Sequence, residues 1–359
     1  MTGAISRRGF SLYLGAGVVG ALAAGYSRHG SAAETITVLN WQGYGTDEAW
    51  ALKLFAEKTG ITVRHDYFNS EPEMQTKLRT NPGAYDVVLI NSARTRSIAA
   101  DGLIDPISLD AVPNAGQLAP ALRDHLNLVE DGKHYGVAWL WGMNSLAVRQ
   151  GTVSNADSLA LLSDPTWHNR VALFDDAVTE IGVGALLTGQ DINAPKDLAA
   201  IGAKLKSMKP NVKLLWSSES EFNKAFSAGA FDVAIYWSGA SARAQTRYHL
   251  PIEFIVPKEG AIGWLDGLSV PSAAKNKAGA LKFISFMIDP EFYVQWAASA
   301  GAAASANAAA MAKLPADNAI KRIHKPEYLE RLQFMSMLPD DRRQAFVDLW
   351  SEVKAFYAT

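Results

Sequence analysis

Residues 35–90 read TITVLNWQGYGTDEAWALKLFAEKTGITVRHDYFNSEPEMQTKLRTNPGAYDVVLI, and their changing period decides the fold class. Thr35 to Asn40 is a short β-type run. Asp47 to Thr59 carries apolar residues at helical spacing and stops at Gly60, a residue suited to the left-handed turn that ends a helix. Ile61 to Tyr67 is a second strand. Glu71 to Thr80 is helical and ends before Asn81-Pro82-Gly83. Tyr85 to Ile90 is a third strand, almost continuously apolar, as a strand covered on both faces must be. Strand and helix in alternation specify an α/β fold with a largely parallel sheet.

Further along, Val137 to Trp141 reads as a strand leading out of this unit. From Asn144 a second α/β set begins. Its strands are Val171 to Phe174, Val212 to Leu215, Val233 to Trp237 and Ile252 to Val256. Its helices are Pro195 to Met208 and Glu221 to Ser227, the latter opened by the capping box Ser218-Glu219-Ser220-Glu221. Ala278 to Ile288, Pro290 to Ser299 and Asp340 to Tyr357 are also helical. No Gly/Ser or Pro linker divides the chain. Two units without a linker imply strands that cross between them more than once, which makes a cleft with a hinge behind it.

Residues 1–33 are a separate object. Arg7-Arg8 precedes a mostly apolar run to Tyr26, followed by Ser31-Ala32-Ala33. That order of charge, apolar stretch and small residues is an export signal, and the paired arginines give it the twin-arginine form. The chain has 359 residues, a net charge of -2, 48% apolar and 19% charged residues, so it is globular rather than disordered. Losing the three arginines of the leader takes that charge to -5, which offers no footprint for nucleic acid. With no cysteine, disulfides, thiol catalysis and zinc–cysteine sites are excluded.

Catalytic motifs are scarce. Gly15-Ala16-Gly17-Val18-Val19-Gly20 matches a dinucleotide fingerprint but lies in the leader, without the strand and helix that give it meaning. The seven histidines form no pair at three- or four-residue spacing, so no helical metal pair is expected, and no cofactor. Asp175-Asp176 with Glu180 is the one arrangement resembling an acid/base pair. A periplasmic hydrolase built on Asp176 or Glu180 is therefore the rival of another class.

The aromatics carry more. Ten tryptophans are present, and Trp41, Trp237 and Trp264 fall where strands run into loops. Ligands of α/β sheets lie beyond the carboxyl ends of strands. Trp264 and Asp266 are two apart, so an extended segment points both to one face. Either they pack in the core beside an incidental charge or, with Tyr44 nearby, they form a seat for a small organic cation, and three rings at such edges favour the seat. An ammonium over an indole gains roughly 0.5 to 2 kcal/mol. Several rings and one desolvated carboxylate together approach the roughly 8 kcal/mol of a micromolar site.

These residues sit within motifs that resemble a known family. Asn40-Trp41-x-x-Tyr44, Gly83-Ala84-Tyr85-Asp86-Val87-Val88, Trp141-Gly142, Asp175-Asp176-Ala177, Trp237-Ser238-Gly239, Pro257-Lys258-Glu259-Gly260 and Trp264-Leu265-Asp266 are similar to those of the polyamine-binding proteins of bacterial ABC transporters, the spermidine/putrescine receptors. The likeness extends from Glu34 to about Phe356. It implies a periplasmic-binding-protein fold, two α/β lobes joined by a hinge of crossing strands. The expected lobes are 34–141 with 267–312, and 142–266 with 313–359. It also implies that Trp41, Tyr44, Ser92, Asp176, Trp237, Trp264 and Asp266 line the site, the aromatics around an alkyl chain and the acids on its amines.

Three departures bear on the ligand. Arg94 stands where the family has an aromatic. Glu180 stands one residue later than the family's second acid. Ala302, after Gly301, replaces a tyrosine. If Arg94 faces the cleft, a ligand cation about 6 Å away is repelled by roughly 3 kcal/mol at an effective dielectric near 20. A zwitterion would turn that repulsion into attraction. The expectation is a non-enzymatic, exported periplasmic receptor that binds a polyamine such as putrescine or spermidine and hands it to membrane permease subunits. The alternative ligand is an ω-amino acid such as γ-aminobutyrate, with its ammonium on Asp266 and its carboxylate on Arg94.

Overall fold

The computed structural model describes residues 34–154, 156–300 and 302–359; the export signal read at 1–33, and Gly301, lie outside the described residues. The principal sheet runs in the order 61–67, 34–40, 87–91, 261–271, 137–149, 233–237, 171–174, 212–216. Strands Glu34–Asn40 and Ile61–Tyr67 pair in parallel from Glu34↔Ile61 to Asn40↔Tyr67, and Val87–Asn91 joins them in the same sense. Val233–Trp237, Val171–Phe174 and Val212–Trp216 form the second parallel set. Between the two sets lie the long antiparallel strands Val137–Arg149 and Ala261–Pro271.

Those two strands pass from one lobe into the other. Val137 to Met143 packs in a first apolar core that begins at Ile36, whereas Leu146 and Val148 pack in a second. Ile262 belongs to the second core and Leu265 and Leu268 to the first. The chain returns once more after Ile323, and Leu332–Phe334 pairs in parallel with Ala261 to Gly263 on the way. The sequence ends the first crossing strand at Trp141. In the structure it continues unbroken to Arg149, because VAWLWGMNSLAV is buried from end to end. Leu314, Ala319, Ile320 and Ile323, expected in the second lobe, pack with the first core instead.

Polar contacts hold the crossing. His324 is buried, with Nδ1 2.9 Å from the Ile320 carbonyl and Nε2 2.8 Å from Ser238 Oγ, which in turn accepts from the Met143 amide at 2.9 Å. Burial pushes the imidazole down to about 4, so it is neutral and joins the strand, the following helix and the third pass without introducing a charge.

The helices Ser92–Ala100, Ala177–Leu187 and Ser238–Arg247 start at, or two residues beyond, strand ends. None shows an apolar stripe. Thr179 to Leu186 is buried almost all round, and SGASARAQTR is buried through small residues, so neither advertises a helical period. Asn91 caps the first through the Ala93 amide and Asp176 the second through the Thr179 amide. Among the described residues, no helix is long and apolar enough to cross a membrane.

Candidate ligand-binding site

The carboxyl ends of both parallel sets face a cavity of about 920 Å³. Its first wall is the loop after Asn40. Asn40 Nδ2 donates to Thr46 Oγ1 at 2.8 Å and fixes this loop, while Gly43 (φ 70°) and Gly45 (φ 83°) take left-handed turns that a side chain would strain. Gly45 also lies against the Trp296 indole, and a Cβ there would overlap the ring. The loop delivers Trp41 and Tyr44 to the cavity. The opposite wall is Phe174 and Trp237, at the ends of their strands, with ring centroids 5.0 Å apart and braced from behind by Trp216.

Trp264 and Asp266 come from the crossing strand. Gly142 faces Trp264 across the ladder, and a Cβ at 142 would overlap the indole, so the glycine makes room for the ring. Asp266 faces Asn91 on its other side. Asn91 Nδ2 donates to Asp266 Oδ1 and Tyr44 OH donates to Oδ2, both at 2.9 Å. Asp266 is 7% exposed, and burial raises it from 3.8 to about 6 against the pull of those two donors.

Charged groups are paired selectively. Arg94 Nε lies 3.5 Å from Glu71 Oε2. Arg243 grips Glu219 with Nε at 3.0 Å and Nη2 at 2.6 Å. Arg343 holds Asp340 at 2.5 Å. Thus each arginine on the cavity wall has its own carboxylate. Asp176 and Asp266 also line the wall, and among the described residues no cation pairs with either. Asp176 Oδ1 accepts from the Thr179 amide at 2.8 Å, a position that a helix N-terminus favours for a carboxylate. Asn144 Nδ2 donates to Thr179 Oγ1, leaving its buried Oδ1 without a protein partner at the cavity wall.

Of the residues expected from sequence, Trp41, Tyr44, Arg94, Asp176, Trp237, Trp264 and Asp266 line this one cavity. Ser92 and Glu180 do not. Ser92 is buried, and its neighbours Asn91, Ala93 and Arg94 form the wall. Glu180 lies one turn inside its helix, fully buried, with Oε1 accepting from the Phe174 amide at 2.9 Å. Burial holds its carboxyl well above the usual range. Asp175 turns away to Trp350 Nε1 and Lys354 Nζ, both at 2.8 Å. The apparent acid cluster is therefore three carboxyls with three separate surroundings. Arg94 does face the cavity, but its pairing with Glu71 removes the full repulsion expected for a bare cation.

Sequence reasoning missed Glu71, Asn91, Asn144, Phe174, Arg243 and the lip Met335 to Leu338. Asn91 and Phe174 end strands, and Glu71 follows one, so the strand-end rule that selected the tryptophans extends to them. Among the described residues, no group of His, Asp and Glu is placed to hold a metal.

Two lobes, crossing strands and an aromatic cavity with uncompensated carboxylates between them define a ligand receptor. The model of the bacterial extracellular solute-binding proteins matches residues 50–322. The spermidine/putrescine-binding periplasmic protein of Salmonella typhimurium is 32% identical over 278 residues, covering 76% of this chain and 78% of that one. The protein of the same description from Escherichia coli is 32% identical over 289 residues, covering 79% and 81%. A spermidine/putrescine ABC transporter substrate-binding protein of Streptococcus pneumoniae superposes with a TM-score of 0.81 over 90% of this chain and 99% of its own, at 22% identity. The chain belongs to the family of bacterial extracellular solute-binding proteins, with the periplasmic-binding-protein fold. It is a non-enzymatic, substrate-binding component of transport.

Proposed function

We propose that this protein is the periplasmic receptor of an ABC importer for a diamine or polyamine such as putrescine or spermidine. The observation that carries the reading is the charge pairing: every cavity arginine is matched by a carboxylate, and two aspartates are not. Asp266 hangs from the first lobe's face of the crossing strand, and Asp176 caps a helix of the second lobe. A linear dication places one ammonium on each, with its methylenes among Trp41, Trp237 and Trp264. Each ammonium is then held by a carboxylate and faced by indole, which combines Coulomb attraction with cation–π contact. Such a ligand touches both lobes at once, so it favours the closed form that permease subunits would recognise. The names of the curated relatives support the same ligand class.

Lobe one then comprises roughly 34–143 and 265–323 and lobe two the remainder of 34–359, following the two sides of the apolar packing. Export through the twin-arginine leader would place the receptor in the periplasm already folded. An ω-amino acid is the second reading, favoured by the presence of Arg94 on the wall. It would have to displace Glu71 from that arginine.

Isothermal titration with putrescine, spermidine and γ-aminobutyrate separates the two. Micromolar or tighter heats with the amines and none with the zwitterion are expected. Tight binding of γ-aminobutyrate alone would exclude the dication reading.

A further inference from the structure

Glu71 opens the helix Glu71–Thr80 just beyond a strand end, and it is the one cavity carboxylate that carries a cavity arginine. Its Oε2 is buried and has no hydrogen-bond partner; Arg94 Nε stands 3.5 Å away, an ion pair but a loose one. Asp266 is near enough to repel it, and both line the same cavity. The ionisable groups around it come from every neighbouring element: Arg94 from the next helix, Asp266 from the crossing strand, and Tyr44 from the first loop. Arg243, Asp176 and Arg343 complete the lining from the other lobe.

We propose that Glu71 is a specificity-determining residue of this site, a carboxylate shared between Arg94 and the ammonium that Asp266 receives, with a proton leaving as the cation enters. The inference rests on the amine-receptor reading and adds to it a residue and a proton. The geometry supplies the reason. Two carboxylates close together in a buried wall cannot both be ionised cheaply, and one loosely held guanidinium does not neutralise both. An alkylammonium seated between them does. Burial and the Asp266 charge push Glu71 up to about 7, with Arg94 pulling the other way, so in neutral solution about half the molecules hold a proton there. Ammonium binding expels that proton to solvent. A ligand carboxylate gains nothing from the exchange, because it would compete with Glu71 for Arg94. The pair therefore selects cations over zwitterions.

The test is calorimetry of the full-length mature protein with putrescine at pH 7, in phosphate and in Tris, whose different ionisation enthalpies report the protons released. Roughly half a proton per putrescine is expected, falling to about a tenth in Glu71→Gln, the share left to Asp266. In Glu71→Gln the putrescine affinity should fall at least tenfold while that for γ-aminobutyrate holds or rises, because Arg94 is left bare. The double variant Glu71→Gln/Arg94→Gln should recover the preference for putrescine without recovering the proton. Thermal melts of each variant check the fold. Wild-type putrescine binding with no proton release overturns the inference and leaves the receptor reading standing. So does a Glu71→Gln protein that weakens both ligands equally, since that is the mark of a merely structural role. Absence of any amine binding by the wild type overturns both.

Discussion

Asp266→Asn should make the ligand-free protein more stable and the receptor nearly inactive. Asp266 is buried, raised from 3.8 to about 6, and has neutral hydrogen-bond donors only. A carboxylate whose folded value lies above its unfolded one lends the fold stability only at low pH. That stability is complete below about 4 and is lost as the pH rises through about 6. At pH 7 the ionised group therefore costs the ligand-free fold roughly 3 kcal/mol. The amide removes this cost and still accepts from Tyr44, but it turns an N–H toward Asn91, which returns about 1 kcal/mol. A net gain of roughly 2 kcal/mol raises Tm by about 3 °C in a folded chain of this size. The loss on binding is larger. A carboxylate 4 Å from an ammonium contributes about 4 kcal/mol at an effective dielectric of 20, close to a thousandfold in Kd. Differential scanning calorimetry at pH 8 and pH 4 reads the first effect, and putrescine titration reads the second. The gain in Tm should be present at pH 8 and absent at pH 4. A variant that melts below wild type at both pH values, or binds with unchanged affinity, would refute the reasoning.

Two further substitutions probe a cavity wall and the core behind it. Gly142→Ala places a Cβ into the Trp264 indole. The ring must swing into the cavity, so putrescine affinity should drop at least tenfold; calorimetric titration showing an unchanged Kd would mean the indole is not a ligand wall. Glu180→Gln replaces an acid that burial holds well above the usual range and that lies outside the cavity. Its Tm at pH 7 should move by no more than about 2 °C, inside the usual range for a mild exchange, and its Kd not at all; a large loss of binding in the same titration would return Glu180 to the site.

Much of this was legible in the sequence because two physical signals are local. The strands at 34–40, 61–67 and 233–237 show themselves by apolar runs, and the ligand wall by aromatics where those runs stop. Trp41 and Trp237 follow from that rule; Trp264, expected at a strand end, lies with Asp266 inside the strand Ala261–Pro271, and the pair follows from two-residue alternation instead. What stayed hidden depends on contacts between distant segments. Nothing near Glu71 in sequence reveals that Arg94 will lie beside it, or that Asp266, far along the chain, will lie near enough to repel it. Arg94 was legible as a departure from the family pattern, but its effect on a cation is set by its partner. Glu180 was misplaced for a different reason. One residue of helix turns a side chain by about 100°, enough to carry a carboxyl from the cavity into the core. The strand 137–149 is legible only as far as Trp141, because Gly142 and Asn144, which serve the Trp264 ring and the polar wall opposite, interrupt its apolar run.

Native mass spectrometry of the protein, purified without denaturation, tests the proposed cation-binding cleft most directly. The expected spectrum shows a one-to-one complex whose released ligand is a small molecule with at least two basic nitrogens, exchangeable by added putrescine and lost in Asp266→Asn. A tightly held anion or sugar that putrescine cannot displace would contradict it.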